Sequence, residues 1–280
     1  MNAALEKLDF DTLPTLPTVY IELMNKFDDP KITITSLSDT IILDISSTTK
    51  LLQMVNSSIF SFKTKINTVT QAISLLGLEE VRHTILTIAI MDFFGTYKNN
   101  KEFQQIDIWR HSIAVGLIAK IIGKEIGYKG VEQVFIAGLT HDIGKLIMLS
   151  KFKGMYLSVV FDDLDNNEDL IDKEYDIMSF NHCDVGYLLA QRWNLSSDIA
   201  AVIKYHHKPD FNSPYIRLIS IVYLANIIAK LMGLGNSGNN YIPTPDNRIW
   251  EVLGLPTGFL KSIYSDIISQ YRESLSHFKL

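Results

Sequence analysis

Ala137-Gly-Leu-Thr-His141-Asp142-Ile-Gly144-Lys145-Leu146 sets an adjacent histidine and aspartate inside an otherwise apolar run. A neutral imidazole and a carboxylate from neighbouring backbone positions form a donor set suited to manganese, iron, zinc and similar cations. Burying the carboxylate is costly unless a cation or a hydrogen-bonding network compensates it, so the pair demands partners. Four further histidines can supply them: His111 upstream, in Trp-Arg-His-Ser, and His182 and the doublet His206-His207 downstream. Of seven histidines, only His83 and His277 fall outside this order.

Outward from that stretch the hydrophobic periodicity is helical. Ile106 to Ile126 keeps Trp109, Ile113, Leu117 and Ile121 on one face, with His111 and Ser112 beside the start of the stripe. Glu132 to Leu139 runs into the His-Asp pair, and Gly144 permits a close approach just after it. Leu170 to Gln191 reads as one long helix that places His182 and Gly186 one turn apart on one face. Trp193-Asn-Leu-Ser-Ser breaks the pattern, and Ser196 or Ser197 caps Asp198 to Tyr205, which delivers the doublet. Tyr215 to Met232 is strongly apolar. Residues 233–246, rich in Gly and Pro, lack the strand-turn-helix setting of a phosphate cradle and read as a flexible linker.

The first ninety-odd residues predict short helices after Pro17, over 33–43, 47–55, 69–76 and 78–94, with Asp44-Ile45-Ser46 a turn, 59–67 a loop and Gly77 a helix terminator. A polar break over 95–105 separates them from the histidine-bearing helices, and 249–253 and 260–278 are helical again. No stretch alternates with period two. The fold class is therefore all-α, in two helical subdomains, 1–97 and 98–232, succeeded by a loop and C-terminal helices over 233–280 that pack on the module. A bundle of this kind can point histidines from successive helices into one metal site.

Composition narrows the function. Apolar residues make up 47% and charged residues 20%, the balance of a globular chain. The net charge of −5 is spread along the chain without a Lys/Arg cluster, which argues against a nucleic-acid footprint. The lone Cys183 excludes an internal disulfide and fits a reducing compartment. Charges stand where a signal peptide would need its apolar region, and Ile216 to Leu234 is interrupted by Arg217, Asn226 and Lys230, so a cytoplasmic protein with no membrane span is expected.

The ordered set His111, His141-Asp142-Ile-Gly-Lys, Glu174, His182-x-x-x-Gly186, Trp193 and His206-His207 resembles the HD superfamily, and specifically the HDOD family of HD-related output domains. Leu13-Pro-x-Leu-Pro17, Asp44, Asn56-Ser57 and Ala72-Ile-Ser-Leu-Leu-Gly77 extend the resemblance, which covers roughly residues 10–210. It implies an HD-like helical bundle in a bacterial signalling or output module, often considered to have lost hydrolase activity. It also implies one or two divalent metal positions. The first would use His111, His141, Asp142 and the residue aligned with the superfamily's final aspartate, which here is Asn226, a weak ligand without charge. The second would use Asp142 as a bridge with His182, His206 and His207, all present. The cyclic-dinucleotide phosphodiesterase branch, HD-GYP, carries a glutamate after the histidine doublet and then Gly-Tyr-Pro. This chain has Lys208-Pro209-Asp210 there and no such tripeptide, so that activity does not carry across.

Two functions are consistent with these residues. One is a cytoplasmic signal-transduction module that binds a signalling partner or a small ligand and retains a metal-capable pocket for iron, manganese or zinc. The other is a metal-dependent phosphohydrolase acting on a phosphoester or nucleotide, with Asp142 holding the metal and Lys145 neutralising phosphate charge. Glu174 reads either as a partner orienting a histidine or, more simply, as a solvated helix charge. Lys145 has an equally simple reading as a partly exposed residue paired with a carboxylate, and Trp109 and Trp193 as core anchors.

Overall fold

Gly144 fixes how the helices around the His-Asp pair are stacked. In the computed structural model, which describes residues 13–16, 18–57, 60, 62, 64–96, 105–161, 168–238 and 240–278, this glycine lies against the backbone of a neighbouring helix. A Cβ built on it would overlap the carbonyl oxygen of His182 and lie 2.7 Å from the Gly186 nitrogen, so only glycine permits the approach. Among the described residues the chain is helical with no strand, as the periodicity predicts.

The histidines of the ordered set all belong to one compact unit, made by residues 13–15 and the described part of Tyr97–Ile267. Its elements are α6 (Gln105–Glu125), α7 (Val131–Thr140), α8 (Ile143–Lys151), α9 (Lys153–Phe161), α10 (Leu170–Met178), α11 (His182–Arg192), α12 (Ser197–Tyr205), α13 (Ile216–Leu231), α14 (Asn247–Leu253) and the start of α15 (Phe259–Phe278). α6 and α7 cross at a second glycine pair, where a Cβ on Gly138 would stand 2.7 Å from the Gly116 Cα. α8 and α11 meet at Gly144 and Gly186. These contacts bring the end of α7, the start of α8 and the start of α11 together, which is where the ligand candidates sit. Trp193 is buried and its indole N–H donates to the Pro14 carbonyl at 2.9 Å, in keeping with a core anchor.

The single helix expected over 170–191 is two helices. Ser179 takes a left-handed backbone at φ +64°, which ends α10, and Asn181 starts α11 with a capping box. In that box the Asn181 side chain accepts from the Asp184 N–H while the Asp184 carboxylate accepts from the Asn181 N–H, both at 3.1 Å. The apolar stripe runs through the break and hides it. Asn181-x-x-Asp184 is the local signal that records it.

The other unit, Leu16–Thr96 with the end of α15, contains α1 (Thr18–Phe27), α2 (Ile34–Leu43), α3 (Ile45–Val55), α4 (Val69–Leu76) and α5 (Leu78–Thr96). The turn expected at 44–46 shrinks to Asp44 alone, which ends α2 and caps α3 by accepting the Ser47 N–H at 2.8 Å. Asn56 donates its amide to the Leu52 and Ile66 carbonyls and accepts the Ile66 N–H, pinning the end of α3 to the approach to α4. Tyr20 and Lys50 both bind the Asp92 carboxylate, linking α1 and α3 to α5. No described helix is long and apolar enough to cross a membrane.

Replacing Gly144 with Ala should force α8 and α11 apart. We expect a loss of at least about 2 kcal/mol in denaturant unfolding, the cost of inserting a methyl group where close-packed backbone cannot move freely.

Candidate metal centre

Five imidazoles converge in the Tyr97–Ile267 unit, each with Nδ1 turned to an oxygen that can only accept. His141 Nδ1 faces the Gly138 carbonyl at 2.7 Å, and His206 Nδ1 faces the Ile203 carbonyl at 3.0 Å. His182 Nδ1 faces Glu174 Oε2 at 2.7 Å, His207 Nδ1 faces Asp169 Oδ2 at 3.0 Å, and His111 Nδ1 faces the Leu234 carbonyl at 3.3 Å. A proton held on Nδ1 leaves the Nε2 lone pair as the donor, which is how carboxylates and carbonyls orient metal-binding histidines.

The Nε2 atoms surround Asp142. Its Oδ1 lies 3.3 Å from His182 Nε2 and 3.4 Å from His206 Nε2, while its Oδ2 lies 3.1 Å from His141 Nε2 and 2.7 Å from the Lys145 ammonium. His182 Nε2 and His206 Nε2 face each other at 3.4 Å. Asp142, His182, His206 and His207 form one set and His111, His141 and Asp142 another, in each of which the ligand atoms lie within 4.8 Å of one another. Asp142 is shared, as the resemblance implies.

The donor set fits a divalent cation on an observation independent of the resemblance. His141 Nε2, Asp142 Oδ1 and His207 Nε2 are buried without a satisfactory hydrogen bond, and all three belong to these sets. Buried polar atoms left unpaired are expensive; a cation in the second set would satisfy Asp142 Oδ1 and His207 Nε2, and one in the first would satisfy His141 Nε2.

Electrostatics favour the ligand forms of several groups. Burial pushes His111 down to about 3, helped by His141, and pushes His141 down to about 4 against the pull of Asp142. Burial opposes ionisation of Asp142, but His141 and Lys145 outweigh it and hold the carboxyl well below its ordinary value. Burial and the neighbouring His206 keep His207 well below the usual imidazole range. Two rings behave oppositely. Burial lowers His182, yet the Glu174 carboxylate outweighs it and holds the ring well above its ordinary value. In His206 burial is outweighed by the Cys183 sulfur and Asp142, and the ring is pushed up to about 9.

Asn226, which the resemblance aligns with the superfamily's final aspartate, has its Oδ1 2.9 Å from His111 Nε2. Turning the amide by half a rotation lets its NH2 donate to that nitrogen while Nδ1–H donates to Leu234; in the other tautomer Nε2–H donates to the oxygen. Either way the atom of His111 that would face a cation is spent on the amide.

Glu174 is fully buried and accepts both the N–H of His182, at 2.8 Å, and its Nδ1–H, so the solvated reading is overturned. Tyr156 on α9 is also buried, and burial together with the Glu174 carboxylate holds its phenol well above the ordinary value. Lys145 is 1% exposed rather than at the surface, and donates to Asp142 Oδ2 and, at 2.9 Å, to the Ser237 carbonyl. That carbonyl and Leu234 belong to the stretch read as a flexible linker, which instead packs on the cluster. Sequence reasoning missed Asp169. It stands at the start of α10, where an aspartate signals a helix cap, but its side chain makes no cap bond and serves His207 instead.

The chain matches the HDOD domain over residues 13–209 and belongs to the HDOD family. An HDOD domain protein of unknown function from Geobacter sulfurreducens superposes with a TM-score of 0.81 at 27% identity, covering 99% of this chain and 97% of that one. A candidate phosphohydrolase from Shewanella amazonensis (TM-score 0.77, 22% identity, 99% and 98% covered) shares the fold. So does a candidate signal transduction protein from Marinobacter aquaeolei (0.75, 16%, 100% and 62%). An uncharacterized protein of Treponema pallidum is 23% identical over 224 residues, which is 79% of this chain and only 43% of that relative's length.

Metal binding must displace a proton wherever a ring is held protonated. Because His206 stays protonated up to about 9 and His182 is raised as well, apparent metal affinity should climb from about pH 6 to about pH 8, by about tenfold per pH unit for each proton displaced. Competition titration with a chromophoric chelator checks the slope; Glu174→Gln should flatten it.

Proposed function

We propose that this chain is a cytoplasmic bacterial signal-transduction module that binds a partner or small ligand and holds a single divalent transition metal, iron, manganese or zinc, without robust catalysis. The observation that carries the reading is Asn226 against His111 Nε2. Where the resemblance implies a charged ligand in the first set, this chain has a hydrogen-bonding amide, which favours Asp142, His182, His206 and His207 as the set that holds the cation. Membership of the HDOD family and the fold shared with a candidate signal transduction protein support the same reading.

A second reading, a phosphohydrolase, is favoured by Lys145, whose ammonium sits 2.7 Å from Asp142 and could bind a phosphate oxygen beside the metal set. A bound cation would supply Lewis acidity towards a phosphoester. Of this chain's own residues, Glu174 and Asp169 would hold the imidazoles in their donor tautomer, and Lys145 would orient the anionic group.

Elemental analysis of protein purified without chelator tests the primary reading. About one transition metal per chain is expected, lost in Asp142→Ala and in the His206→Ala, His207→Ala double variant. Asn226→Asp should raise the stoichiometry towards about two, since it restores the missing carboxylate. A metal-free protein that remains folded and refuses added manganese, iron and zinc would sink the metal-site reading. Robust turnover of phosphoesters by the one-metal protein would instead favour the hydrolase.

A further inference from the structure

The cluster is sealed. His111, His141, Asp142, Lys145, His182 and His206 are each no more than 1% exposed, so a ligand carrying a phosphate reaches them only if something moves. Each of these side chains stands on a helix or at a helix end, and helices are held by ladders of backbone bonds. The segment Leu234–Gly238 has no such ladder, yet it reaches the cluster twice. The Ser237 carbonyl accepts from the Lys145 ammonium, and the Leu234 carbonyl accepts from His111.

We propose that Leu234–Gly238 is a displaceable strap whose backbone carbonyls occupy the anion position of the pocket, and that a phosphate-bearing small ligand binds by pushing it aside. The strap rests on the metal-pocket reading and adds what governs access to that pocket. Chemistry identifies the ligand class. A buried ammonium already paired with one carboxylate oxygen keeps a second hydrogen bond, and a carbonyl oxygen holds it. An ionised phosphate oxygen is a stronger, charge-assisted partner for the same donor, so it can displace the carbonyl.

The strap is built to lift. Gly233, Gly235 and Gly238 all have positive φ, at +64°, +72° and +82°, and lie at its base, middle and far end. Its backbone is tied to its surroundings by the Leu234 N–H to the Ala229 carbonyl and the Asn236 N–H to the Asp107 carbonyl, both at 3.0 Å, and internally by the Gly238 N–H to Asn236 Oδ1 at 2.8 Å. Segments held by individual contacts outside a helical ladder open at lower free energy than the helices around them. Gly235 is the point of closest contact: a Cβ there would overlap the His111 nitrogen and stand 2.7 Å from the Asp107 oxygen. Alanine at this position therefore pushes the strap off without touching Asp142, His182, His206 or His207, the set proposed to hold the metal.

The test uses the full chain loaded with manganese and titrated with inorganic phosphate and, separately, with adenosine monophosphate. Gly235→Ala should bind phosphate about tenfold tighter or more at unchanged manganese content, because the closed population no longer taxes the affinity. Lys145→Met should abolish binding in both backgrounds. In the wild type, hydrogen exchange at the Asn236 and Gly238 amides should accelerate when phosphate is bound, a measurement that stands if Gly235→Ala does not fold. Tighter binding of the nucleotide than of phosphate would place the rest of the ligand under the lifted strap; equal binding would make phosphate itself the determinant. The strap proposal is overturned if folded, manganese-loaded Gly235→Ala binds phosphate no better than wild type. It is also overturned if neither protein binds either probe, or if phosphate binds while the strap amides keep their protection. Failure to load manganese at all counts instead against the metal-site reading, and is seen in the elemental analysis before any ligand is added.

Discussion

The backbone contact between α8 and α11 at Gly144 is the constraint on which the cluster depends. Asp142 precedes α8 and His182 opens α11, so the separation of these two helices sets whether the carboxylate and the imidazole share a ligand sphere. Any side chain at Gly144 would fill the space now taken by the His182 carbonyl. The Gly116–Gly138 crossing does the same for α6 and α7, and so places His111 relative to His141. Small residues thus convert helix packing, ordinarily about 8–10 Å between axes, into contact close enough for ligands from separate helices to meet.

A buried carboxylate surrounded by imidazoles is costly alone, with a desolvation penalty of several kcal/mol. Lys145 offsets part of it through a buried ion pair, and the Nδ1 partners offset part of the imidazole burial. The remainder shows as orphaned atoms on His141, Asp142 and His207. Carboxylates stand behind only two rings, His182 and His207; backbone carbonyls stand behind the others. Both carboxylate-backed rings belong to the set that Asn226 leaves intact. An anionic partner strengthens a ring as a donor more than a carbonyl does, so the asymmetry between the two sets extends beyond the ligands themselves.

The fold class and the candidate ligands were legible in the sequence because both rest on pattern: a period of about 3.6 for the helices, and ordered histidines around His141-Asp142 for the cluster. Asn226 was legible as a departure from a family pattern. What was hidden depends on three-dimensional proximity. The break at Ser179 was masked by an apolar stripe that continues across it, although the capping box at Asn181 was available to mark it. Glu174 looks solvated on helix periodicity because nothing local announces that α11 folds its first residue back onto it. Asp169 carries the signature of a cap and spends its side chain on a histidine 38 residues away. Glycine and proline content correctly marked the described residues of 233–246 as non-helical, but composition says nothing about where a loop lies down.

The contact between Asn226 and His111 connects these features. An aspartate at position 226 would leave His111 free to share a cation with His141 and Asp142; an amide ties His111 instead to itself on one side and to the Leu234 carbonyl on the other. Gly235 rests on the backbone of the same residue. The residue whose Nε2 is taken up by the Asn226 amide thus also carries, through its Nδ1 and its backbone, the segment whose Ser237 carbonyl accepts from Lys145. The imidazoles of the other set keep donor geometry independently of the contact with Asn226, because their Nδ1 atoms face Glu174, Asp169 and the Ile203 carbonyl.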